Sequence, residues 1–135
     1  MKLGIVSDTH GLLRPEVLSA LKGVDQILHV GDVGKISILD ELAKIAPVTA
    51  VRGNVDREGA CSKLPETEVA LLEDSVHGSR YIYMLHDLKT LHLDPAAGKF
   101  AAVLHGHTHV PNFYTKRACC TSIPGRVGRG GSNCR

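Results

Sequence analysis

Five times along this chain a short apolar run stops abruptly at residues able to hold a proton or a metal ion. Leu3-Gly4-Ile5-Val6 runs into Ser7-Asp8-Thr9-His10, and Gln26-Ile27-Leu28-His29-Val30 into Gly31-Asp32. Val48-Thr49-Ala50-Val51 runs into Arg52-Gly53-Asn54, Tyr81-Ile82-Tyr83-Met84-Leu85 into His86-Asp87, and Ala101-Ala102-Val103-Leu104 into His105-Gly106-His107-Thr108-His109. Near-continuous apolar runs of this length suit strands buried on both faces. Helical patterns separate the first three. Pro15 can occupy the first turn of a helix over residues 15–22, with Val17, Leu18 and Leu21 on one face. Ser37 suits the N-cap of a helix over residues 38–45, with Asp40 and Glu41 in its early turns. The order β-α-β-α-β implies a parallel sheet with right-handed crossovers. Residues 68–72 and 80–85 flank a stretch containing Gly78 and read as a hairpin, and residues 112–116 read as a further strand. The expected fold is α/β: a layered sandwich with a mixed, partly parallel β-sheet flanked by helices.

In open α/β sheets the ligand site lies beyond the carboxyl ends of the strands. All five runs end there in Asp, Asn or His. The candidate site is therefore Asp8, His10, Asp32, Asn54, His86, His107 and His109: two carboxylates, one amide and four imidazoles. Taken singly, most have blander uses. Asp8 suits a helix cap, Asp32 and Asn54 suit turns, and His86 suits a strand edge. Only the pair His107 and His109 favours a metal by itself; the convergence of all seven carries the reading. Mixed carboxylate and imidazole donors suit first-row transition ions better than magnesium or calcium. Seven ligands are too many for one tetrahedral zinc but suit two ions if one carboxylate bridges them. Two ions about 3.5–4 Å apart can clamp the attacking and leaving oxygens of a phosphoryl displacement.

Asp8-x-His10, Gly31-Asp32, Gly53-Asn54, the lone His86 and Gly106-His107-x-His109 together resemble the five-part signature of the calcineurin-like metallophosphoesterases. The spacing and small size are similar to the short bacterial and archaeal phosphodiesterase subfamily. The resemblance covers residues 1–116. It implies that Asp8, His10 and His109 hold one divalent ion and that Asn54, His86 and His107 hold a second. Asp32 then bridges the two, and a bridging hydroxide attacks the phosphorus in line. Asp32, Asn54 and His86 are the implied catalytic residues. The implied cofactors are two divalent ions, manganese first, with nickel, iron and zinc also compatible. The implied substrate is a small phosphodiester or phosphomonoester.

One departure matters. Many members of the wider family carry a His directly after the Asn of the Gly-Asn pair, where it can protonate the leaving group; here that residue is Val55, and members of the short subfamily that the chain resembles also lack that His. General acid help is typically worth about 10²–10⁴-fold, so its loss should penalise poor leaving groups most. The other candidates have structural uses. His105 is expected in the core or orienting a ligand imidazole, and His29 buried and hydrogen-bonded. His77 and His92 are expected in solvent and Arg52 in a surface ion pair. Asp56 is either a turn residue or an outer support of the site.

Charge is uneven. Up to Asp94 there are 10 Lys and Arg against 14 Asp and Glu, and after it 6 Lys and Arg with no acid. An acidic body with five aromatic residues argues against a nuclease, which wants a basic groove with stacking rings. No apolar run reaches the roughly 18 residues of a membrane span, and the first ten residues do not read as a signal peptide, so a cytoplasmic setting is expected. Cys61, Cys119, Cys120 and Cys134 lack a zinc or disulfide spacing and read as reduced thiols.

The relatives typically continue past the last strand with another strand and then Asn-Pro-Gly-Ser, whereas this chain continues as Arg117-Ala118-Cys119-Cys120-Thr121-Ser122-Ile123-Pro124-Gly125. A one-base shift in a possible coding string for residues 118–126 gives Gly-Val-Leu-His-Leu-Asn-Pro-Gly-Ser. The expected organisation is thus a domain over residues 1–116 and an aberrant or flexible tail over 117–135, with a frame slip near Arg117. The competing functional reading is a non-catalytic scaffold or interaction module on the same fold, the use to which a vacuolar sorting subunit related to this family puts it.

Overall fold

A computed structural model describes residues 1–107 in full, together with the backbone of residues 112–116 and 119–123. The described strands are β1 (Leu3–Val6), β2 (Gln26–Val30), β3 (Val48–Val51), β4 (Thr67–Asp74), β5 (Gly78–Leu85), β6 (Ala102–Leu104), β7 (Asn112–Lys116) and β8 (Cys119–Ile123). The helices are α1 (Pro15–Ala20), between β1 and β2, and α2 (Ile36–Ala43), between β2 and β3. The first three strands form an all-parallel sheet, with Ile5 beside Leu28 and Leu28 beside Thr49.

The remaining strands do not extend that sheet. They build a second one in the order β4-β5-β6-β8-β7, with antiparallel pairs at both edges and parallel pairs between β5, β6 and β8. The expected layered α/β sandwich with mixed strand pairing is present, its strands divided between two sheets packed face to face. The break comes at the connection after β3. There the Arg52 N–H bonds the Pro65 carbonyl at 2.8 Å, and a 3₁₀ turn over Ala60–Lys63 carries the chain off the edge of the first sheet.

The period of two along each strand builds the layers. On the first sheet, Leu28 and Val30 of β2 and Val51 of β3 face the second sheet, where they meet Ala70, Ile82, Met84 and Leu104. Ile27 faces the opposite way and packs with Val6, Leu21, Ile38 and Leu42, so the helices cover the outer face. Both faces of the first sheet are therefore dry, which is why its runs lack a polar alternation.

Helix α1 starts at Pro15 as the pattern predicts and stops at Ala20. Leu21 closes it through a bond from its N–H to the Val17 carbonyl and is itself buried. Helix α2 corrects the expected cap. Lys35 occupies the N-cap without a side-chain bond, Ser37 is already inside the helix, and no acid lies in the first turn. The helix begins early because Gly34, at φ 84°, turns the chain immediately before it. Cys61 is a buried free thiol, while the other cysteine side chains lie outside the described residues. So does the tail set apart above, except for the backbone of β8. No helix among the described residues is long and apolar enough to cross a membrane.

Leu28 is fully buried between the two sheets. Leu28→Ala should cost about 2–5 kcal/mol of stability, read as a lower urea midpoint at unchanged slope. Leu71→Ala, on the exposed face of β4, should stay within about 0.5 kcal/mol.

Candidate metal centre

Beyond the strand tips the backbone leaves ordinary territory. Asp8 (φ 55°), His10 (φ 47°), Asp32 (φ 53°) and His107 (φ 74°) all adopt the left-handed conformation, which among the other described non-glycine residues only Lys99 shares. Such conformations cost on the order of 1–3 kcal/mol each and persist where the surroundings impose them. Here the imposing contacts are backbone bonds between the β1 and β2 loops: Asp8 N–H to Gly31 O at 3.0 Å, His10 N–H to Asp32 O at 2.9 Å and Gly11 N–H to Val33 O at 2.7 Å. They turn the Asp8 and Asp32 carboxylates into one buried place, at 1% and 3% side-chain exposure.

One ligand atom each from Asp8, Asp32 and His86 lies within 4.8 Å of the others. His86 Nε2 is 3.3 Å from Asp32 Oδ2 and 4.0 Å from Asp8 Oδ1. His10 Nε2 reaches the same pair of carboxylates from the solvent side, 3.7 Å from Asp32 Oδ2 and 3.9 Å from Asp8 Oδ1. Asn54 Oδ1 stands 3.0 Å from His86 Nε2 and 3.2 Å from His107 Nδ1. The His86 and His107 rings meet edge to face, with centroids 5.3 Å apart. The structure thus brings six of the seven expected residues together; His109 lies outside the described residues.

The donor set fits divalent ions. Two ligands bound about 2.0–2.1 Å from one ion stand roughly 3.0–3.4 Å apart, close to the His86–Asp32 spacing. The hydrogen bonding agrees. His86 Nδ1 is 2.8 Å from the Val30 carbonyl, which can only accept, so Nδ1 carries the proton. The Nε2 lone pair is then aimed at the oxygens of Asn54 and Asp32. Acceptors facing acceptors at this range call for a cation, or a second proton, between them.

A further layer holds these ligands. His29 is fully buried and bridges two loops. Its Nε2 stands 3.0 Å from Thr9 Oγ1, and its Nδ1 accepts the Gly31 N–H at 3.3 Å. Thr9 passes its own hydroxyl proton to the Val33 carbonyl at 2.9 Å, which leaves its oxygen to accept from His29. Burial drives the His29 pKa down to about 4. His105 is also buried, its Nδ1 3.3 Å from the Gly106 carbonyl, and burial lowers its pKa as well. Ser7 donates its hydroxyl proton to the Asp8 carboxylate. Asp56, 1% exposed, accepts backbone N–H bonds from Val33, Gly34 and Gly53. Arg52 points away, to the Ser62 carbonyl at 3.1 Å and Glu66 at 2.5 Å. His77 and His92 are exposed. Ser7 and Thr9 escaped the sequence reading; their only signal was position on either side of Asp8.

Residues 1–133 match the family described as the calcineurin-like phosphoesterase superfamily domain. The chain belongs to that superfamily. A probable metallophosphoesterase of Methanothermobacter thermautotrophicus is 38% identical, over 82% of this chain and 68% of its own. Another, from Methanocaldococcus jannaschii, is 34% identical over 82% of this chain, which spans only 60% of that relative's length. Among solved structures, Vps29 of Entamoeba histolytica complexed with zinc shares the fold at a TM-score of 0.70 and 23% identity, covering 93% of this chain and 74% of its own.

Within this superfamily member, glycine at three loop positions is a steric necessity. A Cβ on Gly53 would lie 2.0 Å from Asp32 Oδ1 and 2.2 Å from its backbone nitrogen. One on Gly31 would strike the His86 ring at 2.5 Å, and one on Gly106 would strike Ser7 Oγ at 2.3 Å. The glycines of the signature are the floor against which the ligands rest.

Gly53→Ala should displace Asp32 and weaken divalent-ion binding at least about tenfold by calorimetry, with the far-ultraviolet circular dichroism unchanged. A second prediction concerns pH. Because the folded state lowers the His29 pKa from 6.5 to about 4, the unfolded chain binds the extra proton between those values. Stability should therefore fall as pH drops through that window, by at most roughly 3 kcal/mol from this group. Urea midpoints in chelator at pH 7, 5.5 and 4 should show His29→Gln falling less steeply than the wild type.

Proposed function

We propose that this protein hydrolyses phosphate esters with a pair of divalent ions, and that phosphodiesters with good leaving groups are its preferred substrates. Membership of the superfamily supports a metal-dependent hydrolase of phosphate esters. The observation that carries the two-ion reading is the position of Asp32. Its Oδ2 is 3.7 Å from His10 Nε2 and 3.3 Å from His86 Nε2, nearer to each than Asp8 Oδ1 at 3.9 and 4.0 Å, which favours Asp32 as the carboxylate shared by both halves of the donor set. In this reading Asp8 and His10, with His109, hold one ion and Asn54, His86 and His107 the other. Manganese is the proposed metal, ahead of zinc, iron and nickel. Bound ions would supply charge neutralisation at the phosphate and water acidic enough to attack at neutral pH.

The chain's own residues set the rest. The Val55 N–H holds Asp32 Oδ1 at 3.1 Å and so fixes the orientation of the carboxylate that would be shared by two ions. The Nδ1 bond of His86 to Val30 keeps its Nε2 lone pair on the site. At the position where many members of the wider family carry a His, Val55 presents a half-exposed isopropyl group. It has no proton to give, so the leaving group departs on its own acidity.

A second reading, an interaction module without turnover, is favoured by one surface. Leu71 and Tyr81 are cross-strand partners on the β4–β5 hairpin and are 41% and 51% exposed, with Val69 nearby at 40%.

The deciding experiment strips the protein with chelator, adds back manganese, zinc or nickel, and measures hydrolysis of an aryl phosphodiester and an alkyl phosphomonoester. Activity should require the ion and favour the aryl diester by at least about 100-fold. Asp32→Ala and His86→Ala should each lose at least about 100-fold in kcat with the fold intact. Equal rates on both esters overturn the substrate preference. Unaltered turnover in either variant overturns the two-ion mechanism, and bound ions with no turnover on any ester support the interaction module.

A further inference from the structure

We propose that Asp56 is the positioning residue that holds the two halves of the metal centre at their working separation before any ion binds. The inference rests on the two-ion reading above. The parallel pairing of β2 with β3 runs only as far as Val30 beside Val51. Asp32 and Asn54 lie beyond that point, on separate loops, and no ladder bond of this pair fixes their distance. The Asp56 side chain takes over there. Its Oδ2 accepts the Val33 N–H at 3.0 Å and the Gly53 N–H at 2.9 Å, while Oδ1 accepts the Gly34 N–H at 2.9 Å. Val33 directly follows the bridging ligand Asp32, and Gly53 directly precedes the amide ligand Asn54. One buried carboxylate thus ties the residue after one ligand to the residue before the other.

The same turn delivers a second contact. The Asp56 N–H closes on the Gly53 carbonyl at 3.2 Å, and the intervening Val55 N–H lands on Asp32 Oδ1. Three converging N–H donors demand a group that only accepts. A carboxylate meets all three. An amide would turn its NH₂ against at least one of them, so asparagine is not a neutral replacement here. Asp56 bonds none of the candidate ligand side chains, and its most direct effect is on the spacing of Asp32 from Asn54; the Asp8–His10 loop, tied to Val33 through Gly11 and Thr9, keeps its own main-chain bonds. Its loss should therefore weaken the half-site of Asn54, His86 and His107 more than that of Asp8 and His10.

Two measurements test this on the full chain. In the chelator-treated wild type, amide hydrogen exchange followed by NMR should show the Val33, Gly34 and Gly53 amides protected like those of β2. Exchange at open-loop rates overturns the proposal. Manganese titration by calorimetry should then show two ions in the wild type. In Asp56→Asn the first should bind nearly unchanged and the second about 10–100-fold more weakly, with kcat reduced and KM little altered. Two ions bound with wild-type affinities in a folded Asp56→Asn protein overturn it. A wild type that binds fewer than two ions sinks the two-ion reading instead, and the exchange of the metal-free protein then decides the role of Asp56 alone, as it does if Asp56→Asn fails to fold.

Discussion

Two carboxylates, Asp8 and Asp32, are buried within a few ångströms of each other, and the rest of the structure is arranged around that fact. Like charges out of water repel strongly and cannot be left without compensation. Part of the compensation is local. Ser7 and the Val55 N–H each donate to one of these carboxylates, and the imidazoles of His10 and His86 stand close to both. A bound cation would supply the remainder, and the oxygen of Asn54 and the Nε2 of His86 stand at the same place. A site of this kind is unfavourable to build, and it is carried by a core in which the first sheet is dry on both faces.

That cost explains the local geometry. Four ligand candidates occupy left-handed backbone, because a ligand loop leaving a strand tip must reverse the side chain inward within one or two residues. Neighbouring loops then bond to each other through main-chain groups, extending the register of the parallel sheet past its last strand residue. Glycines sit where a Cβ would occupy the space of Asp32 or His86. Strain, cross-loop bonds and missing side chains are thus three expressions of one demand for close approach.

Much of this was legible in the sequence, for a physical reason. An apolar run reports burial on both faces, and an abrupt polar end reports a strand tip, so β1, β2, β3, β5 and β6 could be placed with the candidate residues at their ends. What remained illegible is what depends on contacts far apart in the chain. Nothing local in residues 67–85 says that they found a second sheet rather than extend the first. Ser37 has the chemistry of a cap, but the turn at Gly34 starts the helix before it. Asp56 reads equally as a turn carboxylate or an outer support until Val33 and Gly34 arrive from 23 and 22 residues away. The Thr9–His29 bond spans 20 residues and leaves no periodic trace.

Val55 is the position at which the proposed chemistry lacks a proton donor. Positioning and charge neutralisation are provided by buried, doubly held groups, whereas the place for a proton donor holds an isopropyl group. Electrostatic preorganisation acts on charge developing at the phosphate whatever the leaving group is. General acid help matters only in proportion to the basicity of the leaving oxygen. On the proposed reading, a centre strong in the first and lacking the second would select substrates through the acidity of the leaving group. Substrate choice would then turn on Val55, in a turn whose other positions are committed: Gly53 to space, Asn54 to the candidate site and Asp56 to its neighbours' amides.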